Sequence, residues 1–600
     1  MEEILFNKPG KKIILLGNEA IVRGALEEGV NFVSTYPGTP ASEIGDTFFK
    51  IAKKVGVYFE YSTNEKVALE AGIGASFSGL KTLVAMKNFG LNVALDALFP
   101  FLYTGTKGPT VIIVADDPSC HSSAQSEENS RFVALATHIP VLEPSDPQEC
   151  KDFTKLAFQI SEKFKIPVII RTTTRVAHQS APVELGKLAP YRTEGFGAGF
   201  VKDPKKFVTL PPRVLEMKKE LLTKIEKIKE FSEKSKINQI YRLPKSIDGS
   251  SRVGIITSGI SYLYVRETLK ELTSHQDGGG GLPVLKLGFF YPLPEEKIKN
   301  FIKNFKKVLV IEELEPHLEK EVERLAKDVN CKLKVIGKDL IPEVGELRPE
   351  IVISAIAKFA NCKLKAKSGR SSSSRCDSII ENSLKTELPC YGSEGEEEDL
   401  SSSPIENLKL KIPRRLPQLC PGCPYWLVIS AIKKAVDLKK VIFGGEIGCY
   451  MLFGNSPINL QDYLSCMGSS VGIAHGIMKA SSFAKASEDK GKLITFVGDS
   501  SFFHAGIPAL INTVFNKSNP LIIILENRTT AMTGHQPHPG APIIPNGIKI
   551  EEIVRACGVK NLKAIDPINQ KEFVATIKEF LNKEEVSVII AQRPCIQIKK

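Results

Sequence analysis

Short unbroken runs of β-branched and apolar residues alternate along this chain with longer stretches in which apolar positions recur every three or four residues. The runs read as buried parallel strands and the stretches as helices that cover the sheets. In the first part of the chain the runs are Ile13–Leu16, Phe32–Thr35, Thr82–Met86, Thr110–Ala115 and Pro167–Arg171, a rhythm that predicts a parallel α/β domain. A Lys/Glu-rich stretch, Arg213 through Lys236, is only weakly amphipathic and predicts an exposed connecting helix. A second α/β unit begins at Val253–Gly259 and includes Lys307–Ile311, with His275-Gln276-Asp277 and four glycines as a loop between them. Residues 365–408 are polar, low in complexity and too poor in apolar residues to bury a core, so they predict a disordered linker. A last α/β unit follows to the end, interrupted by a surface loop at Ala484–Lys492.

The most informative chemistry lies in that last unit. Leu493-Ile494-Thr495-Phe496-Val497 predicts a strand that ends in Gly498-Asp499-Ser500. A helical pattern through Phe502, Ile507, Leu510 and Val514 comes next, then a second strand, Leu521–Leu525, then Glu526-Asn527. Both polar endings fall at the sheet edge where open α/β folds bind ligands, and a helix start there favours phosphate. Asp499 and Asn527 supply hard oxygens of the kind that share Mg²⁺ with a substrate's phosphates. The spacing resembles the thiamine-diphosphate motif, Gly-Asp-Gly followed at a similar remove by Asn-Asn. Ser500 replaces its third glycine and Glu526 its first asparagine. An ordinary βαβ unit with a capping aspartate would look the same at this level.

Three further constellations carry chemistry. Tyr36-Pro37-Gly38-Thr39-Pro40 makes a tight turn after a strand and leaves the Thr39 hydroxyl at the sheet edge. Asn64-Glu65 suits a helix N-cap and first turn, and Glu65 is equally placed to bond the cofactor's aminopyrimidine ring. The helix dipole favours its ionised form and burial opposes it. Gly72 and Gly74 in the same helix suggest close packing against a neighbour. Finally, Cys420-Pro421-Gly422-Cys423 points two sulfurs at one centre, and Cys449 and Cys595 could complete a set of four. Four thiolates suit zinc or a [4Fe–4S] cluster, and spacing leaves both open.

Bulk properties narrow the setting. The 600 residues suggest about four domains. The start, MEEILFNKPGKK, lacks the apolar core of a signal peptide, and no run approaches the roughly 18 apolar residues of a membrane span. The chain therefore reads as cytoplasmic, without a membrane partner. Twelve cysteines in so long a chain are no disulfide scaffold. The net charge of +12 comes from scattered lysines rather than an arginine-rich stripe with interleaved aromatics, which argues against nucleic acid.

Together these pieces resemble the alpha subunits of the indolepyruvate ferredoxin oxidoreductase family, thiamine-diphosphate-dependent 2-oxoacid:ferredoxin oxidoreductases. The likeness runs through GNEAIVRGALEEGV (17–30), YPGTPASEI (36–44), NEKVALEAGIGAS (64–76), ADDPSCHSS (115–123), RTTTRVAH (171–178), CPGCP (420–424), GEIGCY (445–450) and NRTTAMTGHQPHPG (527–540).

The resemblance implies five regions. They are a pyrimidine-binding domain at 1–190, a helical connector at 191–249, a transketolase-C-terminal-like domain at 250–362, a linker at 363–409 and a diphosphate-binding domain at 410–600. It implies that Glu65 activates the cofactor and that Thr39 faces thiazolium and substrate. Tyr36, Pro37, Gly38, Gly498 and Ser500 would line the cofactor. Asp499, Asn527 and the Thr529 backbone would hold Mg²⁺, and Cys420, Cys423, Cys449 and Cys595 a [4Fe–4S] cluster. The implied reaction takes an aryl 2-oxoacid such as indolepyruvate, coenzyme A and ferredoxin to aryl-acyl-CoA, CO₂ and reduced ferredoxin. A beta subunit is the implied partner, in a hetero-oligomer with dimerised alpha subunits. A non-oxidative thiamine-diphosphate decarboxylase and a non-catalytic cofactor-binding subunit are the alternatives. Two departures stand out. Tyr425-Trp426 replace the family's usual His-Arg, and the family's terminal ferredoxin-like domain is not found before Lys600, so either a separate electron carrier or a truncated sequence is expected.

Overall fold

The computed structural model describes residues 2–122, 124–190, 199–241, 253–274, 282–360, 417–482, 492–541 and 547–598. The expected linker at 363–409, the glycine loop at 275–281 and all but the last residue of the expected surface loop Ala484–Lys492 lie outside them. The architecture is mixed α/β with three principal, largely parallel sheets.

The first unit contributes β1 (Lys12–Leu16), β2 (Phe32–Thr35), β3 (Tyr58–Tyr61), β4 (Thr82–Lys87), β5 (Thr110–Asp116), β6 (Val141–Leu142), β7 (Val168–Thr173) and β8 (Ser180–Glu184). The middle contributes β9 (Gln239–Tyr241), β10 (Val253–Ser258), β11 (Val284–Leu287), β12 (Phe289–Tyr291), β13 (Lys307–Ile311) and β14 (Lys334–Ile336). The last contributes β15 (Val441–Gly445), β16 (Tyr463–Leu464), β17 (Lys492–Gly498), β18 (Leu521–Glu526), β19 (Asn561–Ile565) and β20 (Ser587–Gln592).

Seven strands form the first sheet, in the order β12-β6-β7-β5-β4-β2-β3. All are parallel except β12, which leaves the middle unit and adds to β6 as an antiparallel edge. The run Ile13–Leu16 does not join this sheet. As β1 it pairs antiparallel with β8 in a separate two-stranded ribbon. The middle sheet runs β14-β13-β10-β11-β9, and the last runs β16-β15-β17-β18-β20-β19 with every pairing parallel. The connecting helix, Arg213–Lys234, is less exposed than its composition suggests. Met217, Leu221, Ile225 and Ile228 recur at helical spacing and are buried.

Register decides where the chemistry emerges. Thr35 of β2 pairs with Tyr61 of β3 and with Ala85 of β4, so the turn at Tyr36, the helix start at Glu65 and the end of β4 at Lys87 leave one sheet edge. In the last sheet Gly498 pairs with Leu525 and Glu526 pairs with Gln592, which brings Asp499, Asn527 and the segment before Cys595 to one edge as well.

The two units meet through helices Glu65–Phe77 and Ser469–Ser482. A Cβ on Gly74 would lie 2.3 Å from the Ile473 carbonyl oxygen, and one on Gly476 would lie 2.1 Å from the Ala71 carbonyl oxygen. Only glycine permits that approach. Gly72 packs on its own sheet instead, against Val84 of β4. A buried pair reinforces the junction: His475 Nε2 lies 2.7 Å from Glu60 Oε2, while Tyr58 and Ser62 donate to the same carboxylate. Burial, the largest single effect, would raise Glu60, but the charge and hydrogen bond of His475 together with the Tyr58 and Ser62 hydrogen bonds hold the carboxyl down at about 2. Arg131 joins the middle unit to the first. It pairs with Glu143 through Nε and Nη2 at 2.6 and 2.7 Å and donates to the Glu313 carbonyl at 3.0 Å.

Candidate active site

Asp499 opens a helical run that continues through a π-turn at Phe502–Gly506 into Ile507–Phe515. Its carboxylate is 2 % exposed and accepts from the backbone N–H groups of Asn527 at 2.9 Å and Arg528 at 2.7 Å through Oδ2, and of Ser500 at 2.8 Å through Oδ1. The aspartate at one strand end is thus clamped to the turn at the next. Asn527 accepts from the Thr529 N–H through Oδ1 at 3.0 Å and donates through Nδ2 to the Tyr425 hydroxyl at 2.8 Å. Carboxylate, carboxamide oxygen and the Thr529 backbone therefore gather at one buried turn, a hard-oxygen set that fits Mg²⁺ beside a diphosphate. Gly498 is buried, and Ser500 is half-buried with its hydroxyl 3.2 Å from that of Thr530.

Two side chains missed by sequence reasoning back this turn. His538 Nε2 stands 3.1 Å from Asp499 Oδ2, outside hydrogen-bond geometry, with Nδ1 accepting from the Gly540 N–H. Glu446 accepts from the Gly468 N–H at 2.9 Å, the Gly498 N–H at 3.3 Å and the Tyr450 hydroxyl, which itself accepts from Gly498 at 2.8 Å. Burial pushes the Glu446 carboxyl up to about 8, so it carries a proton at neutral pH. Both residues sit inside strings that resembled the family, but a lone acid or histidine carries no spacing signal.

The cysteines converge. One cavity of about 140 Å³ is lined by Cys420, Cys423, Cys449 and Cys595 and also by Tyr425 and Asn527. Cys420 and Cys423 come from the turn before helix Tyr425–Ala435, Cys449 from the start of the 3-10 helix Cys449–Gly454 that follows β15, and Cys595 from the segment after β20. Gly422 holds φ +77, a conformation that glycine adopts freely. The thiols line a cavity rather than closing on a point: among the described residues no three His, Cys, Asp or Glu are grouped to hold a single ion. Burial, then the neighbouring cysteines, push Cys423 up to about 11, so cation binding there must expel a proton. Four thiols around one cavity are a donor set that fits an iron–sulfur cluster.

The other half of the site rises from the first sheet. Tyr36, Pro37 and Thr39 are exposed and Gly38 is half-buried. Lys87, from the end of β4, packs across Gly38, where a Cβ would lie 2.9 Å from its Cγ. Glu65 starts its helix beneath the Asn64 cap, whose side chain accepts from the Val67 N–H at 2.8 Å. Burial raises the Glu65 pKa, with its own backbone N–H and Lys87 opposing, so desolvation prevails over the helix terminus. Gly90 gives the carboxyl room; a Cβ there would lie 2.8 Å from Oε1. The loop before Glu65 docks on the other unit: the Thr63 N–H donates to Asn512 Oδ1 at 3.1 Å and its hydroxyl to the Pro508 carbonyl at 2.8 Å. Glu65 thus stands where the first unit abuts the helix that follows Asp499.

Comparison with known proteins fits this two-half arrangement. Residues 23–213 match the thiamine-diphosphate-binding family of pyruvate flavodoxin/ferredoxin oxidoreductases, and residues 446–591 match the C-terminal binding domain of thiamine pyrophosphate enzymes. Residues 245–358 match the indolepyruvate oxidoreductase domain. The chain is 40% identical to indolepyruvate oxidoreductase subunit IorA of Methanothermobacter thermautotrophicus, over 99% of this chain and 89% of that protein.

The chain belongs to the indolepyruvate oxidoreductase IorA family.

IorA of Pyrococcus horikoshii is 41% identical over 99% of this chain and 87% of that one. Among solved structures, 2-oxoglutarate:ferredoxin oxidoreductase from Magnetococcus marinus overlaps 58% of this chain and 65% of its own, at 20% identity and a TM-score of 0.47. By its IorA relatives and its thiamine-diphosphate domain matches, and not by that structural likeness, the chain is an oxidoreductase of the 2-oxoacid:ferredoxin group, suited to oxidative decarboxylation of 2-oxoacids. Among its described residues no helix is long and apolar enough to cross a membrane.

Proposed function

We propose that this chain decarboxylates an aryl 2-oxoacid of the indolepyruvate type oxidatively, passing the acyl group to coenzyme A and the electrons to ferredoxin. One observation supports the oxidative reading above others: Asn527 belongs both to the Asp499 turn and to the wall of the four-cysteine cavity. A one-electron centre held there would adjoin the diphosphate site.

Bound thiamine diphosphate supplies the carbon nucleophile and electron sink. Asp499 and Asn527, with the Thr529 backbone, would hold the Mg²⁺–diphosphate end. Glu65, its carboxyl pKa raised by burial, would exchange a proton with the aminopyrimidine ring. Thr39, on the exposed turn, would meet the substrate. Cys420, Cys423, Cys449 and Cys595 would hold a [4Fe–4S] cluster. A beta subunit completes the assembly, in keeping with the subunit names of the IorA relatives.

The test is anaerobic turnover of the chain with its beta subunit, ferredoxin, coenzyme A and indolepyruvate, following CO₂, acyl-CoA and ferredoxin reduction together. Coupled formation of all three is expected. An aldehyde product formed without coenzyme A would make the enzyme a non-oxidative decarboxylase. Zinc without iron or sulfide in anaerobic preparations would remove the cluster.

A further inference from the structure

Tyr425 and Trp426, where the chain departs from the family pattern, are the first two residues of helix Tyr425–Ala435, directly after the Cys420–Cys423 turn. They face different partners. The Trp426 Nε1–H reaches back 3.3 Å to the Cys420 carbonyl and staples the turn to the helix. Tyr425 points inward, is 5 % exposed, and receives the Asn527 Nδ2 hydrogen at 2.8 Å. Its ring packs edge-on against Phe453 and Tyr450, whose centroids lie 6.1 and 6.3 Å away, so it cannot swing aside without opening this cluster. Tyr425 also lines the cavity of the four cysteines.

The Thr529 N–H on Oδ1 sets which way the Asn527 carboxamide faces, and the Tyr425 hydroxyl holds its other end. With Nδ2 held by Tyr425 and the Thr529 N–H on Oδ1, the carboxamide is fixed at both ends, on the same residue whose backbone N–H bonds Asp499. Without the phenol the buried NH₂ loses its partner, and the carboxamide is held at the Thr529 end alone, free to tilt its oxygen away from the place a cation needs it. The Trp426 bond to the Cys420 carbonyl ties the cysteine turn to the helix start that carries this hydroxyl.

We propose that Tyr425 is a positioning residue that couples the four-cysteine cavity to the Asp499–Asn527 site, so that filling one strengthens binding at the other. The proposal rests on the functional reading above. A coupling between two binding sites is reciprocal and commonly amounts to about fivefold or more.

The experiment measures the affinity of Mg²⁺ and thiamine diphosphate by calorimetry on the full-length anaerobic protein, before and after removal of its iron, in the wild type and in Tyr425→Phe. Iron release to a chelator, with and without Mg²⁺ and thiamine diphosphate, provides the reverse measurement. In the wild type, iron removal should weaken cofactor binding about fivefold or more, and bound cofactor should slow iron release. In Tyr425→Phe with its iron in place, binding should already be weakened about fivefold, and iron removal should change it less than twofold. A Phe variant that binds like the wild type, or that keeps the whole effect of iron, overturns the coupling role. A wild type that binds the cofactor tightly but is indifferent to iron overturns it as well. A wild type that binds neither iron nor thiamine diphosphate overturns the functional reading and the coupling together.

Discussion

Gly476→Ala is a one-carbon change inside the helix pair that joins the two cofactor-binding units. The new Cβ would sit 2.1 Å from the Ala71 carbonyl oxygen and 2.8 and 2.9 Å from its carbonyl carbon and Cα. A carbon–oxygen contact settles no closer than about 3.3 Å, so the helices must part by roughly 1 Å. All three obstructing atoms are main-chain or Cα, and no rotamer change relieves them. Gly74 meets the Ile473 carbonyl in the same crossing, so a tilt that frees one contact presses on another. Overpacking of this kind costs about 1–3 kcal/mol. Its effect on catalysis should be larger than that cost suggests. Helix Glu65–Phe77 begins at the candidate activating carboxyl, and helix Ser469–Ser482 packs on β17, which leads directly into Asp499. A displacement of about 1 Å between reacting groups can lower a rate about a hundredfold. Thermal unfolding and kcat/KM of the variant should therefore fall together, with activity per folded molecule reduced by one to two orders of magnitude. Wild-type activity per folded molecule, at any melting temperature, would refute the link between this crossing and the site.

Other expectations follow from individual groups. Glu65→Gln should nearly abolish decarboxylation while Mg²⁺–thiamine diphosphate still binds, because the amide keeps the shape but cannot exchange the proton; full activity would remove Glu65 from the mechanism. Asp499→Ala should weaken cofactor binding more than Asn527→Ala, since it loses an anionic ligand and frees three backbone N–H groups, and calorimetry on both variants would show equal or unchanged affinity if the site lay elsewhere. Glu60, held down at about 2 by His475 against the opposing effect of burial, is depressed in the folded state. Its contribution, on the order of 3 kcal/mol, is present above the ordinary carboxyl range and drains away as pH falls from about 5 toward 2. Glu60→Gln should flatten the acid limb of the unfolding profile, and an unchanged limb would assign acid lability to other groups.

Much of this protein could be read from local pattern. Strands such as Phe32–Thr35, Thr110–Asp116 and Leu521–Glu526 are continuous apolar runs because both faces of a parallel sheet are covered, and such runs announce themselves in any window. Asp499, Asn527, Glu65 and the Cys420–Cys423 turn were equally legible, since strand ends and tight turns are where open α/β sheets display polar groups. Other elements carried no such signal. Tyr58–Tyr61 contains a glutamate that looks like a strand breaker until His475, far along the chain, pairs with it. The run Ile13–Leu16 was readable as a strand, but its antiparallel pairing with Ser180–Glu184 was not, because pairing partners are chosen by tertiary packing rather than by the run itself. Likewise β12 follows the middle sheet in sequence and completes the first sheet in space. At the site, residue type identified the cysteines as metal-ligating candidates, whereas the parallel register of the last sheet and the packing of its loops put Cys420, Cys423, Cys449 and Cys595 around one cavity. Tyr425, Glu446 and His538 gain their meaning only there: burial raises one carboxyl, one hydroxyl orients an amide, and one ring faces Asp499. Sequence determines which groups are available and which faces are apolar; distance, desolvation and charge pairing depend on neighbours that the chain brings together only when it folds.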